Sequence, residues 1–134
     1  GVAVRVWPAA AFLAQFLVNC PSFVAGQSVI ELGSGLGVAG IGAAVADAGE
    51  VLITDKEAKA LELVQHNADV NRVGERVQVA QVDFKNELTW PKRQFDVILG
   101  ADILLFQGEG QELVKSVDAL LSDEGRALIA DPCE

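Results

Sequence analysis

The sequence predicts an α/β protein with a doubly wound, mainly parallel sheet. Short apolar segments typical of strands alternate with longer segments of helical period, a pattern that favours parallel βαβ units. A glycine-rich turn follows the first predicted strand, and acidic residues stand at the ends of four strands. These observations predict an open sheet with a ligand site beyond the carboxyl ends of its strands.

The predicted elements cover most of the chain. Five strands are expected, at Ser28–Leu32, Val51–Thr54, Val77–Val82, Phe95–Gly100 and Arg126–Ala130. Helices are expected at about Ala9–Val18, Val38–Ala48, Glu57–Asn71 and Glu109–Leu121. Because crossovers between parallel strands are right-handed, these elements give the strand order 3-2-1-4-5. Ligands of such sheets bind where the order reverses, here between the first and fourth strands.

Local sequence also predicts how two helices begin and end. Gly49 and Gly74 fall just past predicted helix ends, where a residue in the left-handed conformation is favoured. Thr54 or Asp55 is placed to cap the helix that begins near Glu57.

Length and composition predict a single domain, residues 1–134, with no internal repeat or linker. The chain has no methionine, even at position 1, so we expect it to be an excerpt or a processed form of a longer protein. No apolar run reaches the roughly 18 residues that cross a bilayer, and no basic region of a signal peptide precedes the first helix. We therefore expect a cytoplasmic protein with no membrane partner.

Charge and cysteine content reduce the number of functions that the chain could have. The formal net charge is −9, from 19 acidic and 10 basic residues. Nucleic-acid binding requires clustered Lys and Arg against phosphates, so this balance argues against it. A cationic cofactor or a basic protein substrate suits an acidic surface better, although such a surface also serves solubility alone. Cys20 and Cys133 show neither metal-ligand spacing nor a disulfide framework, so we expect reduced thiols and no metal.

The turn after the first strand is the most informative segment. The run Ser28–Gly37 combines an apolar strand, Glu31 near its end, and glycines at positions 33, 35 and 37. Glycine lets the backbone turn sharply and approach a ligand closely, because no Cβ is in the way. A carboxylate at Glu31 would repel a phosphate and attract a cation or an amine. A turn that serves the fold alone, without a ligand, is the simplest alternative.

A dinucleotide site is a further alternative, because Gly35–Gly40 matches the pattern G-x-G-x-x-G. That pattern needs apolar residues four and two positions before its first glycine, and these positions are Glu31 and Gly33. Counting from Gly33 restores the strand but places Val38 at the third glycine. The register thus disfavours a nicotinamide dinucleotide without excluding it.

Four acidic residues stand at the carboxyl ends of predicted strands: Glu31, Asp55, Asp83 and Asp102. Because parallel strands end at the same edge of a sheet, we expect these side chains on one rim. Asp is also common in turns that it caps, which is the plain structural interpretation of Asp102.

From Trp7 to Pro132 the chain resembles the class I, Rossmann-like S-adenosylmethionine-dependent methyltransferases. The resemblance rests on the Glu31–Gly35 loop and on the acids that follow strands 2 and 3. It implies that the loop passes under the methionine part of the cofactor, that Asp55 accepts hydrogen bonds from the ribose hydroxyls, and that Asp83 and Phe84 contact the adenine. S-adenosylhomocysteine would be the product. The implied cofactor-binding residues are Trp7, Glu31, Gly33, Ser34, Gly35, Gly37, Asp55, Lys56, Asp83, Phe84 and Ala101.

A narrower resemblance is to the seven-strand protein-lysine methyltransferases, including those acting on electron-transfer flavoprotein and ribosomal proteins. It rests on Val6–Ala10, on Gln65–Asn67 and on Asn71. It implies methyl transfer to a lysine of a protein, with Asp102 orienting the substrate amine. That family has a tyrosine three residues after the aspartate, where this chain has Leu105, and it continues into a further hairpin of two strands. A non-catalytic binding module of the same fold is therefore kept as an alternative.

Three remaining features complete the predictions. Trp90 is expected to pack in the core or to line the rim of the adenine pocket. His66 has no acid or cysteine at ligand spacing, so a surface or polar contact is expected for it. No strand follows Arg126–Ala130, so we expect its edge to be covered by residues outside this sequence or by a second copy of the chain.

Overall fold

The sheet is parallel throughout and has the order β3-β2-β1-β4-β5. This computed structural model describes residues 8–104 and 109–132. The strands are β1 (Ser28–Leu32), β2 (Glu50–Asp55), β3 (Val77–Gln81), β4 (Phe95–Ala101) and β5 (Leu121–Ala130). The predicted fold class and strand order are confirmed.

Helices cover both faces of the sheet. They are α1 (Pro8–Asn19), α2 (Val38–Val45), α3 (Ala58–Val70) and α4 (Glu109–Leu120). Helices α1, α2 and α3 pack on one face, in a core that includes Leu17, Ala39 and Val64, and α4 packs on the other face through Leu113 and Leu120. In the described part of the chain, none of these helices has both the length and the apolarity to cross a bilayer.

Two helices end differently from the prediction. The left-handed residues are Asp47 (φ 68°) after α2 and Arg72 (φ 62°) after α3, so the assignment to Gly49 and Gly74 was wrong. After each helix, the N–H groups of the left-handed residue and of its successor bond back to carbonyls of the last turn, which closes the helix end. Helix α2 consequently ends at Val45, three residues earlier than predicted.

The residue that caps the start of α3 also differs from the predicted Thr54 or Asp55. The N-cap residue is Glu57, and its side chain makes no capping hydrogen bond. Asp55 Oδ1 accepts a hydrogen bond from the Glu57 N–H at 2.8 Å, so Asp55 fixes the turn before the helix. The Thr54 hydroxyl donates to the Glu31 carbonyl at 2.6 Å and therefore links β2 to β1.

Strand β5 forms one edge of the sheet, and β4 is its pairing partner among the described residues. Ile129 on this strand is 37% exposed. The covering of this edge by a second copy of the chain stays a prediction.

Asp96 joins three strands at the amino end of the sheet. Its Oδ2 accepts hydrogen bonds from the Ser28 N–H at 3.1 Å and the Ser28 hydroxyl at 3.0 Å, which ties β4 to β1. Ser122 of β5 donates to Asp96 Oδ1 at 3.4 Å. The bonds from Ser28 hold the pKa of the Asp96 carboxyl below its usual value.

We expect Asp96→Asn to destabilise the protein by about 1–2 kcal/mol at pH 7, because it removes the charge that these donors stabilise. The folded-state pKa lies below the unfolded one, so this contribution is present above the unfolded value and is lost as pH falls through the folded value. Urea unfolding should show the difference shrinking in acid. The exposed Asp123→Asn is the control, and its free energy of unfolding should change by no more than about 0.5 kcal/mol. Equal effects of the two variants would contradict the role of Asp96 in joining the strands.

Candidate functional site

A tight loop links β1 to α2 at the carboxyl edge of the sheet. Its three glycines, Gly33, Gly35 and Gly37, have φ angles of 60°, 56° and 76°. Residues with a Cβ adopt such angles only with strain. The Ser34 N–H donates to the Thr54 carbonyl at 2.9 Å, and the Gly37 N–H donates to the Ser34 carbonyl at 3.0 Å. The loop is therefore bonded both to itself and to β2.

The surroundings of the loop show why it needs glycine. A Cβ on Gly33 would lie 2.7 Å from Ile103 Cγ2 and 3.8 Å from Phe84 Cε1. A Cβ on Gly37 would lie 2.9 Å from Val64 Cγ1 of α3. The loop thus packs closely against the segments that follow β3 and β4 and against α3.

Glu31 is enclosed beneath the loop. It is 1% exposed, and its Oε1 accepts a hydrogen bond from the Gly40 N–H at 2.8 Å. Gly40 is the third residue of α2, so its N–H has no partner within the helix. Because the N-cap residue Gly37 has no side chain to offer, Glu31 caps α2 from the neighbouring strand.

Gly40 was not among the predicted site residues, although its spacing in G-x-G-x-x-G was the available signal. A Cβ there would lie 2.6 Å from Ile53 Cγ1 and 2.8 Å from Glu31 Oε1. The third glycine of the pattern therefore permits close packing of helix on strand and leaves room for the Glu31 carboxyl.

Burial changes the chemistry of Glu31. Loss of hydration raises the pKa of its carboxyl to about 8, the Gly40 N–H opposes this shift, and the charge of Asp55 adds to it. Glu31 therefore differs from the ionised carboxylate assumed in the sequence-based prediction, because at pH 7 it is mostly neutral. Its predicted role toward a cofactor stays a prediction.

Asp55 faces the loop from the end of β2. It is 6% exposed, and its two oxygens each accept one backbone hydrogen bond at 2.8 Å, Oδ2 from Gly35 and Oδ1 from Glu57. Each carboxylate oxygen has a second lone pair available. The side chain is thus fixed in orientation and can still accept two further hydrogen bonds. Its neighbour Lys56 is exposed.

The segment after β3 carries two aromatic side chains, Phe84 and Trp90. The Asp83 carbonyl accepts hydrogen bonds from Trp90 Nε1 at 3.2 Å and from the Thr89 hydroxyl at 3.0 Å. Phe84 and Trp90 pack against the same apolar cluster as Ile103. Trp90 is therefore both a packing residue and a neighbour of Asp83. Thr89 was not predicted, because a single threonine in a polar loop gives no sequence signal.

Asp102 follows β4 in a strained conformation, with φ 56° and 6% exposure. Its N–H donates to the Ala130 carbonyl at 2.9 Å, and its carboxyl accepts a hydrogen bond from the Ala9 N–H at the start of α1. Oδ2 has no hydrogen-bond partner among the described residues. Burial, followed by the charge of Asp131, raises the pKa of the carboxyl, and the Ala9 bond opposes the rise.

The structure brings most of the predicted residues to one edge of the sheet. The loop and β2 cluster comprises Glu31, Gly33, Ser34, Gly35, Gly37 and Asp55. Ile103 and Phe84 connect this cluster to the segments that contain Ala101, Asp102 and Asp83. Trp7 lies outside the described residues, and His66 is exposed as expected. Within residues 8–104 and 109–132, no group of three or more potential ligands could hold a metal ion.

Comparison with known proteins identifies a family whose sequence model matches nearly the whole chain. The sequence model of a family described as "Lysine methyltransferase" matches residues 1–131. The chain is 38% identical over 137 residues to the protein N-lysine methyltransferase METTL21A of Danio rerio, covering 97% of the chain and 61% of the fish protein. It is 34% identical over 131 residues to the EEF1A lysine methyltransferase 3 of Mus musculus, covering 97% of the chain and 56% of that relative. The chain thus spans about three fifths of the length of these curated relatives.

A solved structure shares the fold. It is described as a putative S-adenosylmethionine-dependent methyltransferase from Methanococcus maripaludis, and it superposes with a TM-score of 0.76 at 21% sequence identity. The match covers 92% of this chain and 56% of that protein. The Rossmann-like methyltransferase fold is thereby confirmed.

Three glycine substitutions separate the cost of a left-handed φ from the cost of steric overlap. We expect Gly37→Ala to cost about 2–3 kcal/mol, because it combines a left-handed φ with overlap on Val64. Gly26→Ala has the same φ problem (72°) but no atom within 4 Å, so about 1 kcal/mol is expected.

Gly110→Ala, at the start of α4, has neither constraint and should change stability by less than about 0.5 kcal/mol. Chemical unfolding of the three variants tests this ranking. Equal stabilities for the Gly37 and Gly26 variants would show that the loop has room for a side chain.

Proposed function

The chain belongs to the lysine methyltransferase family, and we propose that it binds S-adenosylmethionine at the loop after β1 and transfers a methyl group to a lysine side chain of a protein. The observation that carries the proposal is the Asp55 carboxylate, held by the N–H groups of Gly35 and Glu57 beside the glycine turn. The names of the two relatives, both lysine methyltransferases, support lysine as the acceptor.

Asp55 is suited to a ribose diol. Its two oxygens are fixed in orientation, and each keeps one lone pair. Two vicinal hydroxyl groups can donate to such a carboxylate at once, which gives charge-assisted hydrogen bonds. Phe84 and Trp90 would provide aromatic surface for the adenine, and Asp83 an acceptor for its amino group.

The other proposed contacts follow the loop. Glu31, Gly33, Ser34, Gly35 and Gly37 would surround the methionine part of the cofactor, with Lys56 and Ala101 at its borders and Trp7 covering it. Ser34 is 7% exposed and Ala101 is 8% exposed, so both would contribute mainly backbone and shape.

Bound S-adenosylmethionine supplies a methyl group already activated by its sulfonium sulfur. The residues of this chain therefore need only to align the acceptor nitrogen in line with the methyl–sulfur bond and to accept its hydrogen bonds. Asp102 is proposed for the second task. Its buried Oδ2 lacks a donor among the described residues, and an amine nitrogen can provide one. The lysine proton leaves to solvent before the nitrogen attacks.

We extend the proposal to setting and partners. Net charge −9 suits basic protein segments better than nucleic acid. Cys20 is a free thiol, in keeping with a reducing compartment such as the cytoplasm. Self-association through the β5 edge is retained as part of this proposal.

We expect Asp55→Ala to weaken S-adenosylhomocysteine binding by about 2–4 kcal/mol, since two charge-assisted hydrogen bonds are lost. Isothermal titration measures this directly. The exposed Asp123→Ala removes the same charge elsewhere and should leave the affinity unchanged. Unchanged affinity in Asp55→Ala would remove this residue from the site, and tight binding of NAD by the native protein would refute the proposed cofactor.

We expect Asp102→Asn to lower the rate of methyl transfer at least tenfold while the affinity for S-adenosylhomocysteine stays within about twofold, because the proposed role of Asp102 is to orient the acceptor amine and not to bind the cofactor. Transfer of labelled methyl groups to a protein extract provides the measurement. An extract whose lysine amines have been blocked is the control for the acceptor.

The Asp123→Asn variant is the control for the substitution, and it should transfer methyl groups at the native rate. A native rate in Asp102→Asn would contradict the assignment, and cofactor binding without any transfer in the native protein would indicate a non-catalytic module.

A further inference from the structure

A groove with apolar walls lies between α1 and the end of β5, and we call it the α1–β5 groove. Among the described residues, one wall is a face of α1 that includes Pro8, Phe12 and Phe16, and the other wall is the segment 128–132. The groove has a volume of about 620 Å³, which is within the range of ligand sites. Phe12 is 69% exposed. A concave apolar surface of this kind favours contact with a second molecule.

One end of the groove lies at Asp102, the residue proposed to orient the acceptor amine. Ala9 and Ala130 line opposite walls there. Ala9 donates its N–H to the Asp102 carboxyl, and Asp102 donates its own N–H to the Ala130 carbonyl at 2.9 Å. Asp131 also lines this end, and its charge acts on the same carboxyl. Two acids that meet beside an apolar groove favour a cation at this end.

The opposite end of the groove is close to a positive charge. Phe16 is the lining residue farthest along α1 from Ala9, and its ring centroid lies 5.2 Å from that of Phe23. The Arg126 guanidinium lies 5.4 Å from the Phe23 ring centroid. From Arg126 to Asp131, β5 and its end span about 16 Å, at roughly 3.3 Å per residue. An extended segment of about five residues therefore reaches from one charged end to the other.

We propose that the α1–β5 groove binds the protein substrate as an extended segment, with its lysine at Asp102, apolar side chains against Phe12, and an acidic residue about four positions from the lysine beside Arg126. The proposal rests on the proposed function, since it requires the acceptor lysine at Asp102. Charge complementarity selects this occupant, because the two ends of the groove have opposite sign and its walls are apolar. The substrate class is thus a lysine followed on one side by apolar residues and then by an acid.

The experiment measures transfer of labelled methyl groups from S-adenosylmethionine to synthetic peptides by the native chain. One peptide contains Lys-Leu-Leu-Leu-Glu between glycines, a second has serines in place of the leucines, and both are also made in the reverse order. In one of the two orders, we expect the leucine peptide to have a KM at least tenfold below that of the serine peptide, with a similar kcat. Contacts far from the reacting atoms stabilise the bound substrate and the transition state equally, so they change KM alone.

The charged end is tested by a third peptide, in which a second lysine replaces the glutamate. We expect its KM to be about fivefold higher, because its charge is repelled by Arg126. In the variant Arg126→Glu this preference should reverse. Lys92→Glu changes the net charge by the same amount at another exposed position and should keep the native preference.

The apolar part is tested by Phe12→Gln, which should raise the KM for the leucine peptide about tenfold and leave that for the serine peptide unchanged. Val114→Gln is the matched control, because Val114 is 67% exposed on α4, which covers the other face of the sheet. The affinity for S-adenosylhomocysteine should stay within about twofold in all these variants, which shows that the fold and the cofactor site are intact.

Three results would overturn the inference. The first is the same transfer to leucine and serine peptides, including no transfer to either while a protein extract is methylated. The second is the native KM in Phe12→Gln. The third is a change in association state, measured by light scattering, in Phe12→Gln without any change in KM, which would assign the groove to a second copy of the chain. Each result leaves lysine methylation intact, whereas absence of both cofactor binding and transfer to any lysine would refute the proposed function.

Discussion

The hydrogen bond from the Gly35 N–H to the Asp55 carboxylate is the interaction on which the site depends. It ties the loop after β1 to the end of β2 across 20 residues of sequence. With the loop fixed there, the space that a Cβ on Gly33 would need is taken by Ile103, and the space that a Cβ on Gly37 would need is taken by Val64. The segments after β3 and β4 and helix α3 are therefore positioned against one common loop.

The four acids at the carboxyl edge show how carboxyl side chains differ in chemistry with their surroundings. Glu31 is enclosed and mostly neutral at pH 7. Asp55 is held by two backbone N–H groups, and Asp83 is partly exposed. Asp102 is buried with one oxygen unpaired among the described residues. Their placement follows from strand direction, but the surroundings of each carboxyl follow from contacts made by distant parts of the chain.

The fold could be predicted from sequence because its determinants are local or periodic. Apolar runs such as Ser28–Leu32 identify strands, and right-handed crossovers then leave one strand order. The ends of α2 and α3 could not be predicted, because Asp47 and Arg72 adopt left-handed φ values that glycine would favour more strongly. The neutral state of Glu31 was equally hidden, since it depends on Gly40 and on the packing of α2 against β1.

The contact between Glu31 and Gly40 has a consequence for how such sequences diverge. The space that a side chain at position 40 would need is filled by the carboxyl of residue 31 and by Ile53. A larger residue at position 40 is tolerated only where its neighbours become smaller, and a smaller residue at position 31 leaves the start of α2 without its acceptor. Among homologous proteins, these two positions should therefore covary and be inherited as a pair.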